Sequence, residues 1–387
     1  MLFNLVPHGA MLSMWAATRL SVEVLEWAAG DPAPDLAHLP RDLGHAAVVT
    51  RSTNAMEGLK AVLALPPAER LLLAKAVRSD AEFHEHLDDD DFAFAFPARP
   101  PGTRNAAKAF LGSFYDDLLK SGFRDLPHQD LPLLNKAAVE RAFFRANMHL
   151  CGGCLSSLRV RHRTSPNDRD HFFPKAHYPA LALHPFNLTL ICPLCNSRVK
   201  GERDPLLPDL QGPALRGQDA LDRRGTVGML RSTYVPYHRS AREEIVVRID
   251  RQARSARGPF SLRVEGRPGG HSAARIRSLD WLFEISVVWG DRLVEVHMEA
   301  LHQCRRCILD QDAVRRRLLK LVEDERDRGR SHQDQYLLGR YAAYITEDGT
   351  RLRAFVAELA QPDTKHALRR EAPTPARNTP KLTLPPL

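Results

Sequence analysis

Six cysteines in 387 residues are too few, and too unevenly placed, for a disulfide framework. Four of them form two Cys-x-x-Cys pairs inside residues 151–195, a use of thiol that fits metal binding in a reducing compartment. Long apolar runs are also missing. The opening MLFNLVPHGAMLSMWAATRL is apolar, but it has no basic leader, and Pro7, His8 and Arg19 break it well short of a membrane span. A soluble, cytoplasmic protein is therefore expected. Acidic residues fall short of basic ones, 47 against 55, and the formal charge of +8 fits a polyanionic partner. A hydrophobic content of 43% is enough for ordinary cores, and the length suggests two or three modules.

What is present is concentrated in one stretch, CGGCLSSLRVRHRTSPNDRDHFFPKAHYPALALHPFNLTLICPLCNSRVKGER, from Cys151 to Arg203. Cys151 with Cys154 and Cys192 with Cys195 give four soft ligands, and a Cys-x-x-Cys turn aims two sulfurs at one ion about 2.3 Å away. Gly152-Gly153 and Pro193-Leu194 permit such turns. The alternatives are a redox pair or a disulfide, but a redox motif comes once, inside a βαβ pattern. All four positions are thiols, so the expected Zn²⁺ site is closed and structural. The gap from Cys154 to Cys192 is longer than a zinc ribbon needs, so a further element sits between the knuckles.

That insert reads as strand, turn, strand and helix. Residues 169–174 and 188–191 suit strands, Pro179 and His184-Pro185 punctuate the loop between them, and Asn196-Ser197 open a helix carrying Arg198 and Lys200. With Asp170-His171 in the first strand, Asn187 in the loop just before the second and Asn196 after the last thiol, the stretch resembles the HNH endonucleases. These are the ββα-metal nucleases, here in their cysteine-flanked form with Asn as the third letter. The resemblance implies a metal-dependent endonuclease acting on DNA, with RNA as a further substrate, and a bacterial setting in restriction, anti-phage defence or mobile-element processing, with a partner protein of a defence system. It also implies that Asn187 orients the loop bearing His171 without touching metal.

Phosphodiester hydrolysis needs a nucleophilic water, charge neutralisation on phosphoryl oxygens and help for the leaving oxygen. Asp170 and Asn196 are oxygen ligands suited to Mg²⁺ or Mn²⁺. His171 alone of the set accepts a proton near neutral pH and is the candidate general base. Adjacent residues point to opposite faces of a regular strand, so the backbone must bend for Asp170 and His171 to face one phosphate. Singly, each residue has an ordinary reading: a surface Asp-His pair, a turn Asn, a helix-capping Asn. His184 could be an extra ligand, though a loop histidine bonded to backbone is the plainer reading; His162 and His177 read as solvated loop residues. Arg159, Arg161, Arg163, Arg169, Lys175, Arg198, Lys200 and Arg203 outweigh Asp168, Asp170 and Glu202, a local net of +5. Of these, Arg169, Lys175, Arg198 and Lys200 are the candidate nucleic-acid contacts.

Elsewhere the signals are structural. Helices are expected over 10–29, 54–65 and from Pro66-Pro67 onward, forming a helical region 1–96; the proline-dense 97–102 reads as a linker. His84, His86 and Asp88 to Asp91 make a polar, acidic run that is ordinarily solvated. Two helices, one from Thr103 to Ser121-Gly122 and one from Asn135, lead into the cysteine core (151–203) of a nuclease domain 103–224. A mixed α/β region, 225–370, has strands expected at 244–249, 260–265 and 231–237, and a strand or buried helix at 279–288. Its VPYH stretch, Val235 to His238, loosely resembles one found in some bacterial HNH proteins. Cys304-Arg305-Arg306-Cys307 lies in what reads as one continuous helix, where four ligands converge poorly on a metal; helix thiols are expected. The proline-rich tail 371–387 should be disordered. The fold class is α+β. A silent zinc-stapled nucleic-acid-binding module and an RNase or toxin on the same unit are the alternative functions.

Overall fold

The computed structural model describes residues 2, 5–89, 91–123, 133–147, 149–158, 168–206, 230–251, 259–307, 310–327 and 333–361. It is α+β, mainly helical, with two small two-stranded sheets. The helix signals of the N-terminal third are realised closely. α1 spans Met11–Ala28, α2 Thr53–Leu63 and α3 Pro67–Ala81. Ser52 starts α2 by accepting the Ala55 N–H at 3.1 Å, and α3 opens on Pro67, whose missing N–H costs nothing at the first position. The expected linker is a 3₁₀ turn, Phe96–Ala98, and then the start of α4, Pro101–Ser113. Thr103 lies inside that helix, with its hydroxyl on Glu69 at 2.5 Å, instead of capping it. α4 continues through a π-helical turn, Phe114–Leu118. α5, Lys136–Ala146, begins where expected, Asn135 accepting the Ala138 N–H at 2.8 Å.

Contacts divide the chain into two compact units, Met1–Val246 with Val264–Ile285, and Val247–Arg263 with Ser286–Leu387. In the first, Leu20, Leu59, Val77 and Phe110 share one core with Leu183 and Leu188, so the N-terminal helices and the loop of the cysteine segment are packed together. α2 and α4 cross closely: a Cβ on Gly58 would lie 2.3 Å from the Phe110 nitrogen, so only glycine fits there. The N-terminal strap is tied to the same segment. Leu2 N–H donates to Gly152 O at 2.9 Å, and the Asn147 amide bonds Val6 on both its N–H and its carbonyl.

β1, Asp168–His171, pairs antiparallel with β2, Leu188–Ile191, in the register Asp170 to Thr189 and His171 to Leu188. Tyr237 of the VPYH stretch donates its hydroxyl to Leu188 O at 3.2 Å. β3, Ile245–Arg251, and β4, Phe260–Gly266, form the second sheet; the expected strand over 231–237 is a 3₁₀ turn and a bend instead. α6, Ser272–Phe283, and a short helix, Ile285–Gly290, settle the ambiguous apolar run in favour of helix.

The second unit holds α7, Leu293–Cys304, α8, Gln311–Asp327, α9, Gln333–Thr346, and α10, Gly349–Leu359. The sequence reads as one continuous helix from Val294 onward, but a 3₁₀ turn, Arg305–Cys307, ends α7. A buried polar chain knits this unit: His297 Nδ1 lies 2.6 Å from Tyr341 Oη and its Nε2 2.9 Å from Glu358, whose other oxygen faces Arg251 at 3.4 Å. Among the described residues no helix is long and apolar enough to cross a membrane. The segments 207–229 and 362–387, including the expected disordered tail, lie outside the described residues.

Candidate metal centre and its neighbouring site

The two knuckles come together as the spacing requires. The sulfurs of Cys151, Cys154, Cys192 and Cys195 all lie within 4.8 Å of one another, and all four residues are buried. Sulfurs at the corners of a tetrahedron about 2.3 Å from an ion are ~3.8 Å apart. The Cys154–Cys192 separation is 3.7 Å. The backbone supports the sulfurs: Cys192 N–H donates to Cys151 Sγ at 3.3 Å and Cys195 N–H to Cys192 Sγ at 3.5 Å. Leu155, at φ 65°, makes the left-handed turn that closes the first knuckle and returns its N–H to Cys151 O at 2.9 Å. Burial pushes the Cys151 thiol well up, while hydrogen bonds from Cys151, Cys154 and Cys195 hold Cys192 low. Four buried thiols this close together can all ionise only with a cation to balance them. The cluster fits a metal ion such as zinc. It is the only group of that kind among the described residues. Cys304 is buried at the end of α7, Cys307 half-buried in the following 3₁₀ turn.

Between the knuckles, a single amide shapes the loop. Asn187, fully buried, accepts the Phe173 N–H at 2.6 Å and donates to Phe173 O at 3.1 Å and Leu181 O at 3.0 Å. This ties the end of β1 to the turn Pro179–Leu181, and the next residue of that turn, Ala182, supplies the carbonyl that meets His171 Nε2 at 3.0 Å. A carbonyl only accepts, so the neutral ring carries its proton on Nε2 and keeps its lone pair on Nδ1. Burial pushes His171 down to about 3, against the bond to Ala182, and Lys175, Lys200 and Lys136 add to the effect; the imidazole is neutral at pH 7.

Asp170 faces the other way, as alternation along β1 demands. Its Oδ1 receives the Lys200 ammonium at 3.0 Å, and the same ammonium reaches His171 O at 2.7 Å. Both side chains are buried, 1% exposed for Lys200 and 5% for Asp170. Lys200 ends the π-helical segment Leu194–Lys200, where the Gly201 N–H returns to Asn196 O at 2.8 Å, and this wide turn carries the ammonium inward. Asn196 is half-buried in the first turn of that segment. Its amide oxygen and the Asp170 carboxylate are donors of the hardness Mg²⁺ or Mn²⁺ prefers. A divalent cation at Asp170 has to share the carboxylate with Lys200.

The expected phosphate contacts fare differently from one another. Lys200 is interior. Lys175 bonds Asp116, and Arg169 lies 3.5 Å from Glu140. The side chain of Arg198, and residues 159–167 with Arg159, Arg161, His162 and Arg163, lie outside what is described. His184 is fully buried and accepts the Phe186 N–H on Nδ1 at 3.1 Å; burial pushes it well below the usual histidine range. Its ring lies 5.2 Å from His84 and 5.3 Å from Trp15, an aromatic packing role. His177 is half-buried in the loop after β1. In the polar run, His86 bonds Asp89 at 2.7 Å and Asp88 pairs with Arg239.

Sequence reasoning missed Tyr115, whose ring meets His171 edge-on at 4.4 Å and whose hydroxyl donates to Arg169 O at 3.3 Å. Sharing a helix face with Phe110, Phe114 and Leu118 makes it look like plain core, and at 9% exposure it is nearly that. It missed Lys136 as well, which lies over the Tyr115 ring. The one legible signal was their place on the two helices leading into the cysteine segment. Set against protein-family models, curated proteins and solved structures, the chain matches none of them.

Proposed function

We propose that this protein is a metal-dependent endonuclease of the HNH type that hydrolyses phosphodiester bonds in DNA. The observation that carries the reading is the geometry at His171: a buried imidazole with its Nε2–H committed to Ala182 O and its Nδ1 left as acceptor, next in sequence to Asp170, whose side chain points to the other face of β1, and under the influence of Lys175, Lys200 and Lys136. A neutral imidazole with an acceptor nitrogen is the form a general base starts from, and at a value of about 3 it can take a proton from water only once the negative charge of an arriving phosphate offsets its desolvation. Asn187 holds the loop that supplies Ala182 and so fixes the ring's tautomer and direction. Asp170 and Asn196 would hold the divalent ion, which when bound neutralises charge on the phosphate and the leaving oxygen. The four cysteines would hold a structural zinc that fixes where β1, β2 and the π-helical segment meet.

One observation favours a second reading, a catalytically silent nucleic-acid-binding module: Lys200 already neutralises Asp170. Purified protein incubated with supercoiled plasmid, single-stranded DNA and RNA in Mg²⁺ or Mn²⁺, and then with EDTA, separates the two. Nicking or linearisation that EDTA stops is expected. Binding with no cleavage in either metal favours the silent module, and cleavage confined to RNA makes the chain a ribonuclease.

A further inference from the structure

Tyr115 stands on the π-helical turn Phe114–Leu118, which widens a helix that is otherwise α-helical from Pro101. Such turns hydrogen-bond less well than α-helix and recur where a side chain must be aimed. Here the turn aims the ring at His171, centroid to centroid 4.4 Å, across from the bond His171 makes to Ala182. Two ammonium groups then lie over the same ring: Lys136, the first residue of α5, and Lys175, from the loop after β1, each 4.9 Å from its centroid. Three separated parts of the chain converge on one ring to do this.

The charges around the ring do not cancel. Lys175 is bonded to Asp116 and Arg169 faces Glu140 at 3.5 Å. Among the described residues Lys136 has no carboxylate within pairing distance, and its ammonium lies over the face of Tyr115. It is half-buried, and its ammonium is held below the usual lysine range first by burial, then by Arg169 and Lys175, with Asp116 working the other way. A half-desolvated cation whose partner is a ring face gives up part of its hydration without an anion in return. An anion arriving there supplies what is missing.

We infer that Tyr115, Lys136 and Lys175 form a phosphate-binding collar around His171 that takes a backbone phosphate of the nucleic-acid substrate. Lys136 makes the direct contact. Lys175 joins by exchanging Asp116 for the phosphate, and Tyr115 is the positioning residue that holds both ammonium groups beside the imidazole. The identity of the substrate rests on the nuclease reading; the collar itself rests on the charge and geometry at Tyr115.

The test measures anisotropy of a fluorescein-labelled DNA duplex across a salt series with the zinc-loaded protein and no added Mg²⁺ or Mn²⁺, and cleavage kinetics in Mg²⁺, for the wild type, Lys136→Gln, Lys136→Arg and Tyr115→Leu. Lys136→Gln should lower the slope of log affinity against log salt by about 1, weaken binding about tenfold at low salt, and raise KM far more than it lowers kcat. Lys136→Arg should restore the slope. Tyr115→Leu should lower both the slope and kcat while melting within a few degrees of the wild type. A wild type that cleaves, with Lys136→Gln matching it in slope and KM, overturns the collar and leaves the nuclease reading standing. A wild type that cleaves nothing while the slope still falls by about 1 in Lys136→Gln upholds the collar and ends the nuclease reading. No binding by the wild type ends both.

Discussion

Replacing Lys200 by Met removes one half of the most deeply buried ion pair among the described residues of the first unit. The lost ammonium leaves two groups behind, Asp170 Oδ1 at 3.0 Å and His171 O at 2.7 Å, in a site where the two side chains are 1% and 5% exposed. Breaking a buried pair from one side costs about 3–5 kcal/mol, because the remaining charge has nowhere to go. For a unit of this size that corresponds to a melting temperature lower by roughly 6–15 °C. Thermal and urea unfolding of the zinc-loaded protein at pH 7 with no added Mg²⁺ or Mn²⁺, read by circular dichroism, measure it directly, with the exposed Lys75→Met as control. Adding Asp170→Asn to Lys200→Met should restore most of the loss, since a neutral amide in that position costs far less than a bare carboxylate. Because Asp170 is also the proposed ligand for a divalent ion, Mn²⁺ should raise the melting temperature of Lys200→Met more than that of the wild type. A Lys200→Met protein as stable as Lys75→Met, or a double variant no better than the single one, would refute the reasoning.

Metal analysis should find about one tightly held zinc per chain, lost in Cys192→Ser with a steep fall in stability, structural zinc in small domains being worth on the order of 10 kcal/mol; Cys304→Ser should leave zinc content unchanged. Asn187→Ala strands three buried backbone groups and should cost about 3 kcal/mol or more in urea unfolding. His8 is 6% exposed, and burial pushes it down to about 4. Its folded value lies below the unfolded one, so the stability it contributes is present above pH 6.5 and lost as pH falls toward 4, in all about 3 kcal/mol. His8→Phe, set among Phe143 and Tyr237, should therefore flatten the difference between stability at pH 7 and at pH 4, and an unchanged pH profile would show that His8 is not buried neutral.

Local chemistry was legible in the chain; geometry made by two distant parts was not. The convergence of Cys151, Cys154, Cys192 and Cys195 follows from a spacing that admits few other arrangements, and Asn135 and Pro67 marked helix starts because their side chains can satisfy or forgo the first N–H groups. The π-helical turns at Phe114–Leu118 and Leu194–Lys200 have no counterpart in periodicity, since segments of five and seven residues are too short to establish a period of their own. Those two turns bring Tyr115 onto His171 and Lys200 onto Asp170. The break of the long basic helix after Cys304 was hidden for a similar reason, its residues favouring helix on both sides of the turn. Apolar character alone did not make a strand of 231–237, where Tyr234 is held by Glu244 at 2.7 Å in a turn.

The central claim, that His171 is the general base of a nuclease, is tested most directly by following plasmid cleavage and DNA binding together in the wild type and in His171→Ala, each loaded with zinc and supplied with Mg²⁺ or Mn²⁺. Cleavage by the wild type, stopped by EDTA, should fall by about 10²–10⁴-fold in His171→Ala while affinity for DNA stays within error of the wild type. Full activity in His171→Ala, or a loss of binding as large as the loss of cleavage, would contradict it.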